Sequence, residues 1–150
     1  RLSSESKLEI RGMLREVTEI ESIGDSCYNL ARSVNRKRTG GNDFTEKQYE
    51  HIHQMMQLTE NALKHMVAIV EDDAHVVDVN HSFNIENEMN NYRSQLKNQN
   101  ILDVNNKEYD YQMGVHYMDL IGECEKLGDY VVNVVEARTN VKEKKTNENR

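Results

Sequence analysis

Two pairs of carboxylates carry the strongest chemical suggestion in the chain. Glu21 and Asp25 are four residues apart, and Glu125 and Asp129 repeat the spacing far downstream. On a helix, residues at i and i+4 stand one above the other, so each pair forms a two-carboxylate platform. Like charges so placed destabilise an isolated helix by about 0.2–0.5 kcal/mol. Carrying that strain twice at matched positions calls for a compensating cation. Oxygen ligands of this kind suit Mg, Ca, Mn or iron better than a structural Zn site, where Cys and His dominate. The metal-ligating candidates are therefore Glu21, Asp25, Glu125 and Asp129, with a divalent or iron ion as the cofactor. The plainer reading is a solvated acidic face, the usual fate of such pairs in a chain with a net charge of -7.

Each pair lies inside a longer repeat. Glu19-Ile20-Glu21-Ser22-Ile23-Gly24-Asp25 through Asn29 recurs as Glu123-Cys124-Glu125-Lys126-Leu127-Gly128-Asp129 through Asn133. A mid-helix glycine costs about 1 kcal/mol relative to alanine, so Gly24 and Gly128 are expected where backbones approach closely. Cys27 and Cys124 fall level with each other and are expected to be small, inert, buried hydrophobes. Histidines offer a competing site. Glu50-x-x-His53 and Asp78-x-x-His81 resemble the motif of ferritin-like dinuclear oxidases. They fall at opposite ends of the expected bundle, away from the carboxylates at mid-height. His51, His53, His75, His81 and His116 are accordingly expected on the surface, while Glu60, His65 and Glu86 lie nearer the carboxylates and can supplement a site. No phosphate-cradling Gly loop, Cys-x-x-Cys pair or nucleophile–base signature is present, so the sequence does not suggest an enzyme.

Four helices are expected to position these groups. The first runs from Ser3 or Ser4 to about Arg38, with Leu8, Met13, Leu14, Val17, Ile20, Ile23, Cys27, Leu30, Ala31 and Val34 as its buried stripe. Gly40 and Gly41 stop it. The second opens on a capping box of Thr45 and Gln48, with Phe44 stapled onto Tyr49, and carries Ile52, Met55, Met56, Thr59, Ala62, Leu63, Met66, Ile69 and Val70 as its stripe. Asp73 is expected to cap the third helix, whose apolar positions include Phe83, Ile85, Met89, Tyr92 and Leu96. Asn98 to Asn106 reads as a loop. Asn105 with Glu108, and Val104 with Tyr109, would then open a fourth helix carrying Met113, Tyr117, Met118, Ile121, Cys124, Leu127, Val131, Val134 and Val135. Short connections give an all-α, elongated, antiparallel up-down-up-down four-helix bundle over 1–141. The polar tail 142–150 is expected to be disordered. As an alternative, the repeat serves a purely structural helical interaction module.

Composition narrows the partners. One domain of 150 residues with no proline and 30% charged residues suits a helical bundle. Its negative charge opposes nucleic-acid binding. Two cysteines are too few for a disulfide scaffold and suggest a reducing compartment. No run reaches the roughly 20 apolar residues of a membrane span. The chain opens without an initiator Met, as a piece of a longer polypeptide would.

At Glu-Ser-Ile-Gly-Asp-x-x-x-Asn-Leu and Glu-Lys-Leu-Gly-Asp-x-x-x-Asn-Val the sequence resembles the PhoU family, which repeats such a stretch in each of two three-helix units. The spacing of the copies is similar to that from the third to the sixth helix of that fold. The resemblance implies non-enzymatic, phosphate-linked regulation, and in some members metal clusters held by the carboxylates matching Glu21, Asp25, Glu125 and Asp129. The family's basic residue after Glu is Ser22 in the first copy and Lys126 in the second, and the first two helices of the six-helix form are missing. A shortened PhoU-like domain also resembles the cytoplasmic tail of sodium/phosphate cotransporters. That implies the membrane portion of the same polypeptide as partner, the cytoplasmic side of the cell membrane as location, and a homodimer as a further candidate assembly.

Overall fold

A computed structural model describes residues 1–39, 43–71 and 78–148, with side chains placed through 35, from 43 to 71 and from 78 to 139. It contains four helices, α1 (Ser4–Thr39), α2 (Glu46–Glu71), α3 (Val79–Asn105) and α4 (Tyr111–Glu148). Among the described residues there is no strand. The all-α bundle expected from periodicity is the observed architecture. None of the described helices is long and apolar enough to cross a membrane.

The start of α2 follows from its sequence. Thr45 Oγ1 accepts from the Gln48 amide at 3.1 Å, and Gln48 Oε1 accepts from the Thr45 amide at 3.0 Å. This reciprocal pair satisfies two amides that the first turn would otherwise leave without partners. Phe44 meets Tyr49 edge-on at 5.6 Å, closing the staple. The buried residues of α2 then keep the expected order of Ile52, Met55, Thr59, Ala62, Met66 and Ile69.

The boundary between α3 and α4 differs from expectation. Asn98 to Asn105 is helical rather than looped. Here asparagine side chains serve the fold instead of breaking it. Asn100 Oδ1 accepts from the Tyr109 hydroxyl at 2.6 Å, tying the end of α3 to the approach of α4. The helix stops at Asn106 and Lys107, the latter at φ 59, with amides of 106 and 107 returning to Leu102 and Val104 carbonyls. Such a left-handed residue closes a helix by satisfying its last carbonyls. Asp110, rather than Asn105, caps α4 by accepting from the Met113 amide at 2.7 Å. At the other end of α3 the cap is Asp78, whose carboxylate accepts from the Asn80 amide at 3.0 Å. The expected stop at Gly40 and Gly41, the Asp73 cap and His75 lie outside the described residues. Helix α4 extends through Glu148, past the end of the apolar pattern.

The core is centred on α4, which packs against every other helix. Ile121, Cys124, Leu127, Val131, Val134 and Val135 are fully buried there, facing Met55 of α2 and Met89 of α3, also fully buried. Among the described residues α1 packs on α4 and makes no packed contact with α2 or α3. The bundle is therefore a three-helix core with α1 laid along its α4 edge.

That arrangement overturns the expected stripe of α1. Ile23 is buried and Leu8 and Leu30 are half-buried, but Met13, Leu14 and Val17 are 60%, 62% and 55% exposed. Ile10, Met13, Val17, Ile20, Gly24, Cys27, Ala31 and Val34 form an outward seam with the alternating three- and four-residue spacing of a coiled coil. The face turned to α4 instead mixes Leu8, Ile23 and Leu30 with small and polar residues, including Gly12, Ser26 and Ser33. It is joined by Glu19 to Asn133 (3.2 Å), Ser26 to Glu123 (2.8 Å), Arg15 to Glu136 (3.4 Å) and Glu16 to Arg138 (3.8 Å). Apolar periodicity identifies the face that gains most from leaving water. It does not supply a neighbour for that face, and α4 takes the opposite one.

Candidate functional site

The repeated motif is split by the fold into a clamp and two separate acidic platforms. Glu19 and Glu123, equivalent in the two copies, each reach across to the other helix. Glu19 accepts from the Asn133 amide nitrogen, and Glu123 accepts from the Ser26 hydroxyl and meets Lys126 at 3.2 Å. The first glutamate of each copy thus fastens α1 to α4.

The second glutamate and the aspartate behave differently in the two copies. Glu21 and Asp25 are exposed on α1, and among the described residues neither enters a hydrogen bond or an ion pair. Glu125 and Asp129 meet α3. Arg93 Nε lies 2.7 Å from Glu125 Oε2, a close ion pair whose N–H is not aimed along the contact. Asp129 faces Glu86, which helps to raise its pKa, and Asn90 donates to Glu86 Oε1 at 3.2 Å. Glu86, Asn90 and Arg93, at i, i+4 and i+7, present one face of α3 to the α4 pair.

Electrostatics at this platform follow from crowding. Burial raises the Asp129 carboxyl to about 6, assisted by the hydrogen bond with Glu86 and the negative charges of Glu125 and Glu86, while Arg93 acts in the opposite direction. Below about pH 6 a proton on Asp129 does locally what a bound cation would do. Glu125 has its cation already, in Arg93. Among the described residues no three His, Cys, Asp or Glu side chains converge closely enough to hold a metal ion. The four carboxylates singled out from sequence are thus not gathered at one point: the α4 pair sits with Glu86, and the α1 pair stands alone. Glu86 was anticipated as a supplement. Arg93 was missed, and only its i+7 relation to Glu86 on α3 hints at its place.

The glycines also sort differently from expectation. A Cβ on Gly128 would come within 2.9 Å of Met89 Sδ, so this glycine admits the buried methionine of α3 rather than the backbone of α1. A Cβ on Gly24 would meet nothing within 4 Å, so close approach does not explain it. Cys124 is buried, its thiol pushed up to about 11 by desolvation, whereas Cys27 is exposed on the outward seam. The expectation of two buried thiols holds for one.

Histidines do not join the carboxylates. His51 is half-buried, not a surface residue, because Nδ1 meets the Tyr117 hydroxyl at 2.9 Å. Burial lowers its pKa and raises that of Tyr117. His53 and His116 are exposed. His81 stacks edge-on with His65 at 4.6 Å, and His65 Nε2 lies 3.1 Å from the Asp78 carbonyl. Asp78 is occupied as a cap, and Glu50 is exposed at the start of α2. Among the described residues these groups do not assemble the ligand set of a dinuclear oxidase.

Residues 52–137 match the PhoU domain, and the match covers more than half of the chain. The chain belongs to the PhoU family. The matched region begins within α2, takes in all of α3 and ends within α4, so the acidic platform of Glu86, Glu125 and Asp129 lies inside it and Glu21 and Asp25 lie outside. No curated protein and no solved structure matches the chain. PhoU-family domains are regulatory and non-enzymatic, and the match assigns this chain a role linked to the regulation of phosphate transport.

Proposed function

We propose that this PhoU-family chain is the cytoplasmic regulatory part of a sodium/phosphate cotransporter, and that a divalent or iron cation binding its carboxylates alters its contacts with the membrane portion. The family match over α2–α4, with Glu125 and Asp129 inside it, is the observation that carries the reading. An oxygen-only set of Glu86, Glu125 and Asp129 fits a hard cation in ligand type. In the arrangement seen, binding requires Glu125 to leave Arg93, and below about pH 6 also the loss of the Asp129 proton. Glu21 and Asp25, exposed and without protein partners among the described residues, provide two oxygens of a second site that another element would complete. The outward apolar seam of α1 is the surface proposed to meet the membrane portion.

Phosphate uptake in cells carrying the natural full-length polypeptide tests this. Asp129→Asn combined with Glu125→Gln is expected to blunt the fall in uptake that follows a rise in phosphate supply, leaving maximal transport in place. Elemental analysis of the purified chain is expected to show metal that this double variant loses. Regulation and metal content both unchanged in the variant would overturn the proposal.

A further inference from the structure

Gly122 presents an unexplained cost. It lies in mid-α4, where glycine is about 1 kcal/mol less favourable than alanine, yet a Cβ there would meet no atom within 4 Å. Packing therefore accounts for Gly128 and not for Gly122. What lies over Gly122 is a cleft of about 400 Å³ between α1, α3 and α4.

The lining of that cleft is charged in a particular way. Arg32 from α1, Arg93 from α3 and Lys126 from α4 enter it. Asn29 stands at i-3 to Arg32 and i-4 to Ser33, so it neighbours both on the side of α1 that borders the cleft. The two carboxylates present are unequal. Glu123 is already satisfied by Lys126 and the Ser26 hydroxyl. Asp119 has no hydrogen bond or ion pair among the described residues. Arg93 uses Nε toward Glu125, which leaves its two terminal nitrogens as donors. Arg32 stacks over Tyr28 at 5.8 Å and has no carboxylate within ion-pair distance among the described residues. Stacking of this kind holds a guanidinium in place without consuming its in-plane donors.

We infer that this cleft is a binding site for inorganic phosphate. Arginine forks, an amide and a hydroxyl on one side are the donors an oxyanion takes. An uncompensated carboxylate beside them would repel any fully deprotonated anion. It accepts a hydrogen bond from an oxyanion that retains a proton, as inorganic phosphate does near neutral pH and sulfate does not. A phosphomonoester, whose second pKa is about 6, has mostly lost that proton and is disfavoured as well. Asp119 is thus the specificity-determining residue, Arg32 and Arg93 the anion-binding ones, and Gly122 the open floor.

The inference gives the phosphate-linked reading a ligand, but it stands on the lining of the cleft. Its test measures binding to the 150-residue chain and does not depend on transport in cells, so either can fail alone. Titration with inorganic phosphate, sulfate and glycerol phosphate at pH 7, followed by amide NMR and calorimetry, is the experiment. Phosphate is expected to shift the amides of Asn29, Ser33 and Gly122, with sulfate and glycerol phosphate at least about tenfold weaker. Gly122→Leu projects a side chain into the cleft from a Cβ that meets no atom within 4 Å, and is expected to abolish binding with no loss in melting temperature. Arg32→Gln is expected to weaken phosphate about tenfold. Asp119→Asn is expected to let sulfate bind as well as phosphate, an effect that a merely structural role for Asp119 does not produce. Phosphate binding unchanged in both Gly122→Leu and Arg32→Gln, absence of phosphate binding, or equal affinity for sulfate in the natural chain each overturns the inference.

Discussion

Replacing Asp129 with asparagine is expected to stabilise the chain at neutral pH, although it removes a charged group from the repeated motif. In the folded state the carboxyl is raised from 3.8 to about 6. Between those values the native chain binds more protons than the unfolded one, so stability falls as pH rises. The favourable contribution is fully present below pH 4 and is lost as pH passes 6. At about 1.4 kcal/mol per unit, a shift of roughly two units corresponds to about 3 kcal/mol. Asp129 keeps an exposed edge, and solvent screening reduces this to about 1 kcal/mol. Asparagine retains a donor for Glu86 and carries no charge at any pH. For a chain of this size about 1 kcal/mol corresponds to about 2–4 °C in Tm. Thermal melts of the natural and Asp129→Asn chains in chelator-treated buffer from pH 4 to 8 measure it. The expected difference is near zero at pH 4 and about 2–4 °C in favour of the variant above pH 7. A difference that is independent of pH, or a variant less stable at pH 7.5, would refute the assignment of crowding at the Glu86–Asp129 pair.

Two further perturbations separate the copies of the motif. Gly24→Ala is expected to be neutral or to stabilise by up to about 1 kcal/mol, because helix propensity improves and no atom is met. Gly128→Ala is expected to destabilise by about 1–3 kcal/mol, since Met89, fully buried, must move; chemical denaturation of both variants reads the contrast. The thiols divide likewise. Cys27 is expected to react with a thiol reagent in the native chain and Cys124 to stay protected until unfolding, and mass mapping of the labelled site checks this.

Much of the fold was legible because its signals are local. Thr45 and Gln48 specify a cap within four residues, and the 3.6-residue pattern of α2 and α4 reports burial directly, since both helices have neighbours along their apolar faces. The end of α3 was not legible, because Asn100 reads as a breaker until Tyr109 folds back onto it. The face of α1 was misassigned for a different reason. Its apolar seam is real, but the interface with α4 is held by small residues and by Glu19, Ser26, Arg15 and Glu16, which no hydrophobic count ranks as core. At the site, the repeat singled out the carboxylates but not that Glu19 and Glu123 act as the clamp between α1 and α4. Arg93 escaped notice because its significance depends on which face of α3 meets α4, a matter of tertiary packing. Arg32 and Asp119 escaped for the same reason.

The attachment of α1 has a consequence for the order in which the molecule comes apart. Elements that bury little apolar surface open at lower free energy than the global transition, as separate cooperative units. Exposed ion pairs contribute little each, and Arg15–Glu136 is of that kind; α1 adds only Ile23 and the half-buried Leu30 to the continuous apolar interior that α2, α3 and α4 share. Amides of α1 should therefore exchange with solvent hydrogen through an opening that leaves the other three helices folded. Such a partial opening creates two populations of one chain, attached and detached, separated by a small gap. Any ligand bridging α1 and α4 would bias that equilibrium by its preference for the attached form.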